Sequence, residues 1–178
     1  SVMKKGIEYI LYEQESNGSW FGRWGTNYLY GTWSALCALT VAGLPQDAPA
    51  ICKAVDWLKE NQHADGGWGE TGDSYYPERL ENSLAKTSTP SQTAWAVLAL
   101  MAAGEVKGNA VRRGVEYLLR ADRTGAKWNE VEYTAVGFPR VFYLRYHGYS
   151  AYFPLWALAR YRSLKDKNEP EAWPQYGM

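Results

Sequence analysis

A short pattern that recurs along this chain constrains its fold more than any single residue does. In each copy a basic residue is followed by a small, a β-branched, an acidic, an aromatic and an apolar residue, and the copy closes on a tryptophan. The copies occupy residues 5–20, 53–68 and 113–128. A repeat of this kind indicates one supersecondary unit that stacks on copies of itself, because no single copy can bury its own apolar face.

Each copy begins with the spacing of an amphipathic helix. Four residues of the first copy fall at i, i+3, i+4 and i+7, which is one helical face: Ile7, Ile10, Leu11 and Gln14. The third copy repeats this spacing from Val115 to Asp122, and the second interrupts it at Lys59, where an apolar residue is expected. Each outer helix is expected to end in a turn that contains a glycine able to adopt positive φ, namely Gly18, Gly66 or Gly125.

A second, almost uncharged helix is expected after each turn, over residues 32–43, 93–104 and 155–161. These inner helices are rich in alanine and leucine on all sides, which predicts that they are buried. Gly43 and Gly104 are expected to cap two of them, and Pro154 is expected in the first turn of the third, where proline is tolerated. The pattern therefore predicts an all-α protein of three helix pairs, arranged as an incomplete α/α barrel, or α/α toroid.

Two polar segments lie outside this plan. Residues 69–90 form a long loop whose acidic side chains are expected to be solvated: Glu70, Asp73, Glu78 and Glu81. Long loops within compact domains are often functional or mobile. The charged, proline-containing residues 165–178 predict an irregular C-terminal tail, so that residues 1–164 make up the helical domain.

The repeated glutamine and tryptophan are interpreted as structural. In the first two copies the glutamine precedes the closing tryptophan, giving the pairs Gln14–Trp20 and Gln62–Trp68. The amide can hydrogen-bond free backbone groups at the helix end and stack on the indole, whose N–H needs an acceptor. The third copy, which closes on Trp128, carries Asp122 instead of glutamine, and this predicts a weaker joint.

Composition excludes several functions. The 19 basic and 19 acidic side chains give a formal net charge of zero, which argues against a nucleic-acid partner. Cys37 and Cys52 lie in apolar helical contexts and are expected to be reduced and buried. His63 and His147 have no evident third ligand, so neither a metal nor a cofactor is expected. The longest apolar run, over residues 93–104, is too short to span a bilayer.

The repeat resembles the QW repeat of triterpene cyclases, and longer blocks are similar to squalene–hopene cyclases. These blocks are residues 18–32, 65–70 and 88–95, and a C-terminal signature built from Gly137-Phe138-Pro139 and Phe142-Tyr143-Leu144. The resemblance extends over residues 5–162. It implies cationic polycyclisation of squalene, or a similar polyprenoid, to hopene or hopanol, by an enzyme that rests on a membrane from the cytoplasmic side.

Aromatic side chains carry the implied chemistry, because a ring face attracts a cation without trapping it. The resemblance places four residues along the cavity, Phe138, Phe142, Tyr146 and Tyr149, and two near the catalytic acid, Trp24 and Tyr30. The last three cavity positions lie at i, i+4 and i+7, so one helical face could present all three rings. The alternatives are an ordinary aromatic core for the cavity set and loop packing for Trp24 and Tyr30.

The acid itself is missing from the sequence. The family's proton donor lies in an Asp-x-Asp-Asp motif, and the nearest acidic pairs here, Glu130/Glu132 and Glu169/Glu171, are of a different type. Together with Ser1 in the first position, this predicts the C-terminal portion of a cyclase, soluble and inactive by itself.

Two other functions remain open at this point. One is a non-catalytic α/α repeat module that binds lipid or protein. The other is a prenyltransferase-like α/α barrel subunit, which needs a zinc site for which the sequence offers no Asp/Cys/His set. Since an open array of helix pairs leaves apolar surface uncovered, the chain is also expected to self-associate.

Overall fold

The computed structural model describes residues 2–84 and 87–165. Within these ranges the elements are, in chain order, α1 (Val2–Tyr12), α2 (Tyr28–Val41), α3 (Pro49–Glu60), α4 (Leu80–Leu84), α5 (Pro90–Ala102), α6 (Asn109–Arg120), β1 (Arg123–Thr124), β2 (Lys127–Trp128), β3 (Ala135–Phe138), β4 (Phe142–Leu144) and α7 (Tyr149–Lys165). Two 3-10 turns, Gly72–Tyr75 and Pro77–Arg79, precede α4.

The prediction of a helix-rich protein is confirmed. The three copies of the pattern form the outer helices α1, α3 and α6, and the inner helices α2, α5 and α7 follow them. The central inner helix, α5, packs against both α2 and α7. The fold is not purely α-helical, because β1 pairs with β2 and β3 pairs with β4 in two antiparallel hairpins. The closure of such pairs into an α/α toroid stays a prediction.

Burial differs among the three inner helices. Every residue of α5 is buried, as the sequence predicts. In α2 Leu36 is buried but Val41 is exposed, and in α7 Ala157 is buried but Leu155 is exposed. The prediction of burial on all sides is therefore wrong for α2 and α7, because α5 is the inner helix that lies between two others.

The ends of two inner helices follow the predicted glycine caps. Gly43 and Gly104 adopt φ values of +87° and +90°. In each case the next residue closes the cap, since Leu44 N donates to Leu39 O at 3.1 Å and Glu105 N donates to Leu100 O at 3.0 Å. This is the Schellman arrangement, which satisfies carbonyls at a helix end.

The prediction that Pro154 lies in the first turn of its helix is wrong, because Pro154 lies inside α7. The helix begins at Tyr149, well before the apolar run that marked it in the sequence. Proline at this depth removes one backbone N–H from the helical ladder. The residue is nevertheless buried, so it contributes to packing.

The closing tryptophan of each copy pins the turn to its own outer helix. All three indole N–H groups donate to a backbone carbonyl ten residues earlier at 2.7 Å: Trp20 to Ile10, Trp68 to Leu58 and Trp128 to Leu118. The three indoles are almost completely buried. Each tryptophan thus combines a large apolar contact with a satisfied donor.

The glutamines link neighbouring copies. Each amide donates to its own turn and to the next outer helix: Gln14 Nε2 to Gly18 O (2.9 Å) and Ala50 O (2.8 Å), and Gln62 Nε2 to Gly66 O (2.8 Å) and Ala110 O (2.9 Å). The bond to the turn was predicted, whereas the bond to the next outer helix was not. The glutamine therefore joins one helix pair to the next.

Asp122 behaves differently from these glutamines. Its carboxylate accepts from Arg123 N at 2.9 Å and from Asn129 Nδ2 at 2.7 Å. Arg123 belongs to β1 and Asn129 directly follows β2, and the turn of this hairpin contains Gly125 at a φ of +62°. The aspartate thus stabilises a local hairpin.

Within the segment 69–90, residues 69–84 contain the two 3-10 turns and α4. Glu70 is 1% exposed and its carboxylate accepts two backbone N–H bonds, so the prediction of a solvated side chain is wrong for this residue. Its partners lie at the start of α2, about forty residues away in the chain.

The two cysteines differ in their exposure to solvent. Both are free, and burial raises the pKa of the Cys37 thiol to about 12. Cys52 is exposed on α3, so the prediction that it is buried is wrong. A cysteine on an amphipathic helix can face either side, and composition does not decide which.

The predicted tail falls largely outside the described residues. Lys165 is the last residue of α7, and residues 166–178, with Glu169 and Glu171, lie beyond the part of the chain that the structure describes.

Candidate functional site

An aromatic cluster lies where the three inner helices meet. Trp95 of α5 is completely buried and stands at its centre. Its ring centroid lies 5.1 Å from that of Tyr30 and 6.2 Å from that of Trp33, both on α2. On the α7 side it lies 5.8 Å from Tyr149 and 5.5 Å from Phe153. Most of these contacts are edge-to-face, a favoured arrangement of aromatic rings.

Two further rings extend this cluster to the surface. Tyr146 stacks on Tyr149 with centroids 4.9 Å apart, and Trp24 stacks on Tyr146 with centroids 6.0 Å apart and planes inclined by 19°. Trp24 is 56% exposed. Four of the six predicted site residues therefore belong to one continuous set of rings that leads from solvent to the buried Trp95.

The other two predicted residues form a separate pair. Phe138 ends β3 and Phe142 begins β4, and their centroids lie 5.7 Å apart. Their exposed fractions are 65% and 44%. Within the described residues no close ring contact joins this pair to the cluster around Trp95.

The predicted helical face through Phe142, Tyr146 and Tyr149 is wrong. Phe142 lies in a strand, Tyr146 lies in the following loop, and Tyr149 is the first residue of α7. A tight turn at Arg140, which adopts a φ of +68°, reverses the chain before Phe142 and pairs it with Phe138. The spacing that suggested a helix therefore spans a strand, a loop and a helix start.

Backbone bonds fix the loop that carries Trp24. Val136 N donates to Trp24 O at 2.9 Å, and Thr26 N donates to Thr134 O at 3.0 Å. These bonds add the loop to the edge of β3. As a result, the segment before α2 and the hairpin after α6 hold each other in place.

Tyr75 clamps the same loop from the other side. Its hydroxyl donates to Gly22 O at 2.9 Å and lies 3.3 Å from Gly25 O. Its side chain is 2% exposed, and burial raises the pKa of the phenol. Sequence reasoning missed Tyr75, because a tyrosine within a polar segment gives no sign of partners about fifty residues away.

The cluster is built from neutral rings. Burial raises the pKa of Tyr30, and it raises the pKa of Tyr149 to about 12. Both phenols therefore keep their protons at neutral pH, and neither is acidic enough to protonate an alkene. Each ring face can stabilise a cation by about 0.5–2 kcal/mol, so the arrangement can receive positive charge but cannot generate it.

His63, one of the two histidines considered as metal ligands from the sequence, makes hydrogen bonds within the fold. His63 Nδ1 lies 2.8 Å from Ser88 Oγ, and Nε2 lies 2.6 Å from Leu84 O. Over residues 2–84 and 87–165, the structure contains no group of three His, Cys, Asp or Glu side chains that could hold a metal ion.

Comparison with known proteins identifies the family of this chain. The family model of the squalene-hopene cyclase C-terminal domain matches residues 1–163. The chain belongs to this family. The prediction drawn from the repeat and the aromatic signature is thereby confirmed.

Curated relatives extend the comparison of this cyclase domain. It is 58% identical to a squalene–hopene cyclase of Zymomonas mobilis over 99% of the chain and 26% of the relative. It is 59% identical to the enzyme of Bradyrhizobium diazoefficiens over 92% of the chain and 24% of the relative. A dammaradiene synthase of Dryopteris crassirhizoma is 44% identical over 89% of the chain and 25% of the relative. The chain thus spans about a quarter of the length of these relatives.

Sequence reasoning missed four rings of the cyclase domain that complete the cluster. They lie on the inner helices and are Trp33, Trp95, Phe153 and Trp156. The sequence did contain a signal for them. Large aromatic residues in helices otherwise rich in alanine and leucine indicate that these helices meet at a common interior, where the rings pack. No helix in the described part of the domain is long and apolar enough to cross a membrane.

Proposed function

We propose that this domain forms part of the wall of a cavity in which squalene, or a similar polyprenoid, undergoes cationic polycyclisation to hopene or hopanol. One observation carries the proposal. A continuous set of rings runs from the exposed Trp24 through Tyr146 and Tyr149 to Trp95. Membership of the cyclase family supports the same reaction.

The roles of the rings follow from the charge that the reaction generates. Protonation of a terminal alkene starts it, and positive charge then moves from carbon to carbon as successive rings close. Each cation needs stabilisation by a group that does not form a bond with it, which a π face provides. Three or four such contacts amount to roughly 4–6 kcal/mol, on the order of a thousandfold in rate or more.

Within this scheme the aromatic residues take different positions. Tyr146, which stacks on Trp24, and the buried Tyr149 are assigned to the inner part of the wall. Phe138 and Phe142, which are exposed on the hairpin, are assigned to its surface. Trp24 and Tyr30 support protonation through contacts with the acid, which another part of the protein supplies. No cofactor or metal is required.

The isolated chain is expected to be inactive, because its sequence contains no Asp-x-Asp-Asp acid. Incubation of the 178-residue chain with squalene, followed by gas chromatography, tests this. A chimera of the Zymomonas mobilis relative, in which this chain replaces the matching 26%, is expected to form hopene. Hopene formed by the chain alone would place an acid within it, and an inactive but folded chimera would contradict the proposal.

A non-catalytic module that binds lipid or protein is the second candidate, and exposed apolar side chains favour it. On α1 Val2 is 90% exposed and Met3 is 66% exposed, and Tyr12 at the other end of the helix is also exposed. Such surface usually marks an interface. We therefore expect the chain to self-associate, as light scattering over a dilution series would show, and a monomer at all concentrations would contradict this.

For the full-length cyclase we also propose peripheral contact with a membrane from the cytoplasmic side. Co-sedimentation of the chimera with neutral lipid vesicles tests it, and a chimera that stays in the supernatant would contradict it. We place the helical unit in residues 1–164, followed by the tail 165–178.

A further inference from the structure

A buried carboxylate holds the start of α2. Glu70 Oε1 accepts from Tyr28 N and Oε2 accepts from Leu29 N, both at 2.9 Å. These are the first two residues of α2, whose N–H groups have no partner within the helix. Asn27, which precedes them, makes no capping bond with its side chain. A side chain from the second repeat therefore caps the inner helix of the first.

The same device recurs one repeat later. Glu130 follows Trp128 by two positions, as Glu70 follows Trp68. Its Oε2 accepts from Ser91 N at 3.0 Å and its Oε1 accepts from the Ser91 hydroxyl at 3.1 Å. Ser91 is the second residue of α5, and Pro90 before it has no N–H to offer. Both glutamates thus accept hydrogen bonds at the start of an inner helix, Glu70 from two backbone N–H groups and Glu130 from one backbone N–H and one hydroxyl.

The two caps differ in what they hold. The turn capped by Glu70 contains Tyr30, and the loop just before it contains Trp24. The first turn of α5, capped by Glu130, contains none of the residues proposed to act on substrate. Glu130 Oε1 also accepts from the Thr134 hydroxyl at 3.4 Å, so Glu130 is linked to the Trp24 loop indirectly, through the bond from Thr26 N to Thr134 O, whereas Glu70 bonds directly to the start of α2.

Further bonds tie Glu70 to the loop of Trp24. Gln92 Oε1 accepts from Glu70 N at 3.0 Å, and Gln92 Nε2 donates to Glu70 O at 2.8 Å. The same Nε2 lies 3.4 Å from Thr26 O, two residues after Trp24. The backbone and the side chain of Glu70 are thus both joined to the segment that leads into α2.

A carboxylate in this position has an energetic cost. Burial raises the pKa of Glu70, and the N–H donors of Leu29 and Tyr28 and the side chain of Ser74 lower it in part. The start of α5 also has a local cap, since Thr89 accepts from Gln92 N at 3.4 Å. At the start of α2 no side-chain cap comes from Asn27, and the long side chain of Glu70 supplies the acceptors from the next repeat.

We propose that Glu70 is a positioning residue for the cyclisation site: its carboxylate fixes the first turn of α2 and thereby the placement of Trp24 and Tyr30. This inference rests on the proposed function of those two side chains. Glu70 is 1% exposed, so it acts through the backbone that it holds.

Glu70→Gln and Glu130→Gln form a matched pair of variants. Glutamine keeps the size of the side chain but has one acceptor oxygen, so its amide nitrogen faces one of the two N–H donors. In the 178-residue chain labelled with fluorotryptophan, the Trp24 signal is assigned by its loss in Trp24→Phe. It is expected to move in Glu70→Gln and to stay in Glu130→Gln. A signal that stays in Glu70→Gln, or moves equally in both, overturns the inference.

Kinetics of the chimera with squalene give the second readout. Glu70→Gln is expected to lower kcat by about tenfold to a hundredfold, since misplacing catalytic groups by about 1 Å can cost that much. Its KM should stay within about twofold, as should both constants of Glu130→Gln. Equal losses of kcat in the two variants, or an unchanged kcat in Glu70→Gln, would show that Glu70 caps the helix without positioning the site.

The proposed function and the positioning role of Glu70 can be tested separately. If the unsubstituted chimera folds but makes no hopene, the proposed function fails and the fluorine signals still decide whether Glu70 places Trp24. If the chimera is active and Glu70→Gln retains its kcat, only the positioning role fails. Should Glu70→Gln not fold, Glu70→Asp, which keeps the charge on a shorter side chain, is judged by the same two readouts.

Discussion

The cluster around Trp95 and the pair Phe138–Phe142 contain the same kinds of ring but hold them in different ways. The cluster takes its members from three inner helices, and its centre is completely buried. The pair sits on one hairpin, with 65% and 44% of its two side chains exposed. A ring in the cluster therefore serves as core and as candidate site at once, whereas a ring in the pair contributes little to the core.

This difference separates folding from chemistry within one domain. Removing a ring from the cluster should change the stability of the protein and its reaction together. Removing a ring from the pair should change the reaction and leave the stability nearly intact. The comparison can be tested at three levels, beginning with the free energy of unfolding.

Trp95→Ala is expected to lower the free energy of unfolding by about 3–5 kcal/mol, because it leaves a large cavity at a completely buried position. Phe138→Ala is the matched change in the exposed pair and should cost about 0.5 kcal/mol or less, as surface substitutions usually do. Urea unfolding followed by circular dichroism measures both. Equal losses in the two variants would show that the hairpin is part of the core and would end the distinction.

A smaller effect is expected from the titration of Tyr149. Burial raises the folded pKa of Tyr149 to about 12, above the ordinary value of 10.0 for a tyrosine, so the folded state binds this proton more tightly than the unfolded state does. The stability linked to Tyr149 is therefore complete below pH 10 and is lost as the pH rises from about 10 to about 12.

Urea unfolding at a series of alkaline pH values measures this loss. Tyr149→Phe should reduce the slope, and Phe138→Ala, which removes no titrating group, should keep it. The buried Tyr75 and the half-buried Tyr117 also contribute, so the difference between the two variants is the informative quantity. The same slope in both would contradict the burial of the Tyr149 phenol.

The sequence predicts the outer helices, their tryptophan anchors and two glycine caps because each depends on residues close together in the chain. Trp20 finds its acceptor at Ile10, and Gly43 meets the φ that its own position requires. Local periodicity and turn chemistry are sufficient for such features. The second bond of Gln62, to Ala110, lies beyond this range and was missed.

The features that were missed share a long separation along the chain. Glu70 caps a helix about forty residues earlier, and Tyr75 reaches a loop about fifty residues earlier. The spacing of Phe142 and Tyr149 imitated a helical face, although Phe142 lies in β4 and a loop separates this strand from the start of α7. A pattern read along one chain cannot distinguish these cases, because the deciding contacts come from other elements.

The central claim is that rings of this domain face the cations of a cyclisation reaction, and Phe142→Ala in the chimera tests it most directly. Losing this ring removes roughly 1–2 kcal/mol of cation stabilisation at one stage, without removing core packing. Gas chromatography of the products from squalene, with the melting temperature as control, makes the measurement. We expect Phe142→Ala to form partly cyclised products beside hopene at an unchanged melting temperature. An unchanged product spectrum from the folded variant would contradict it.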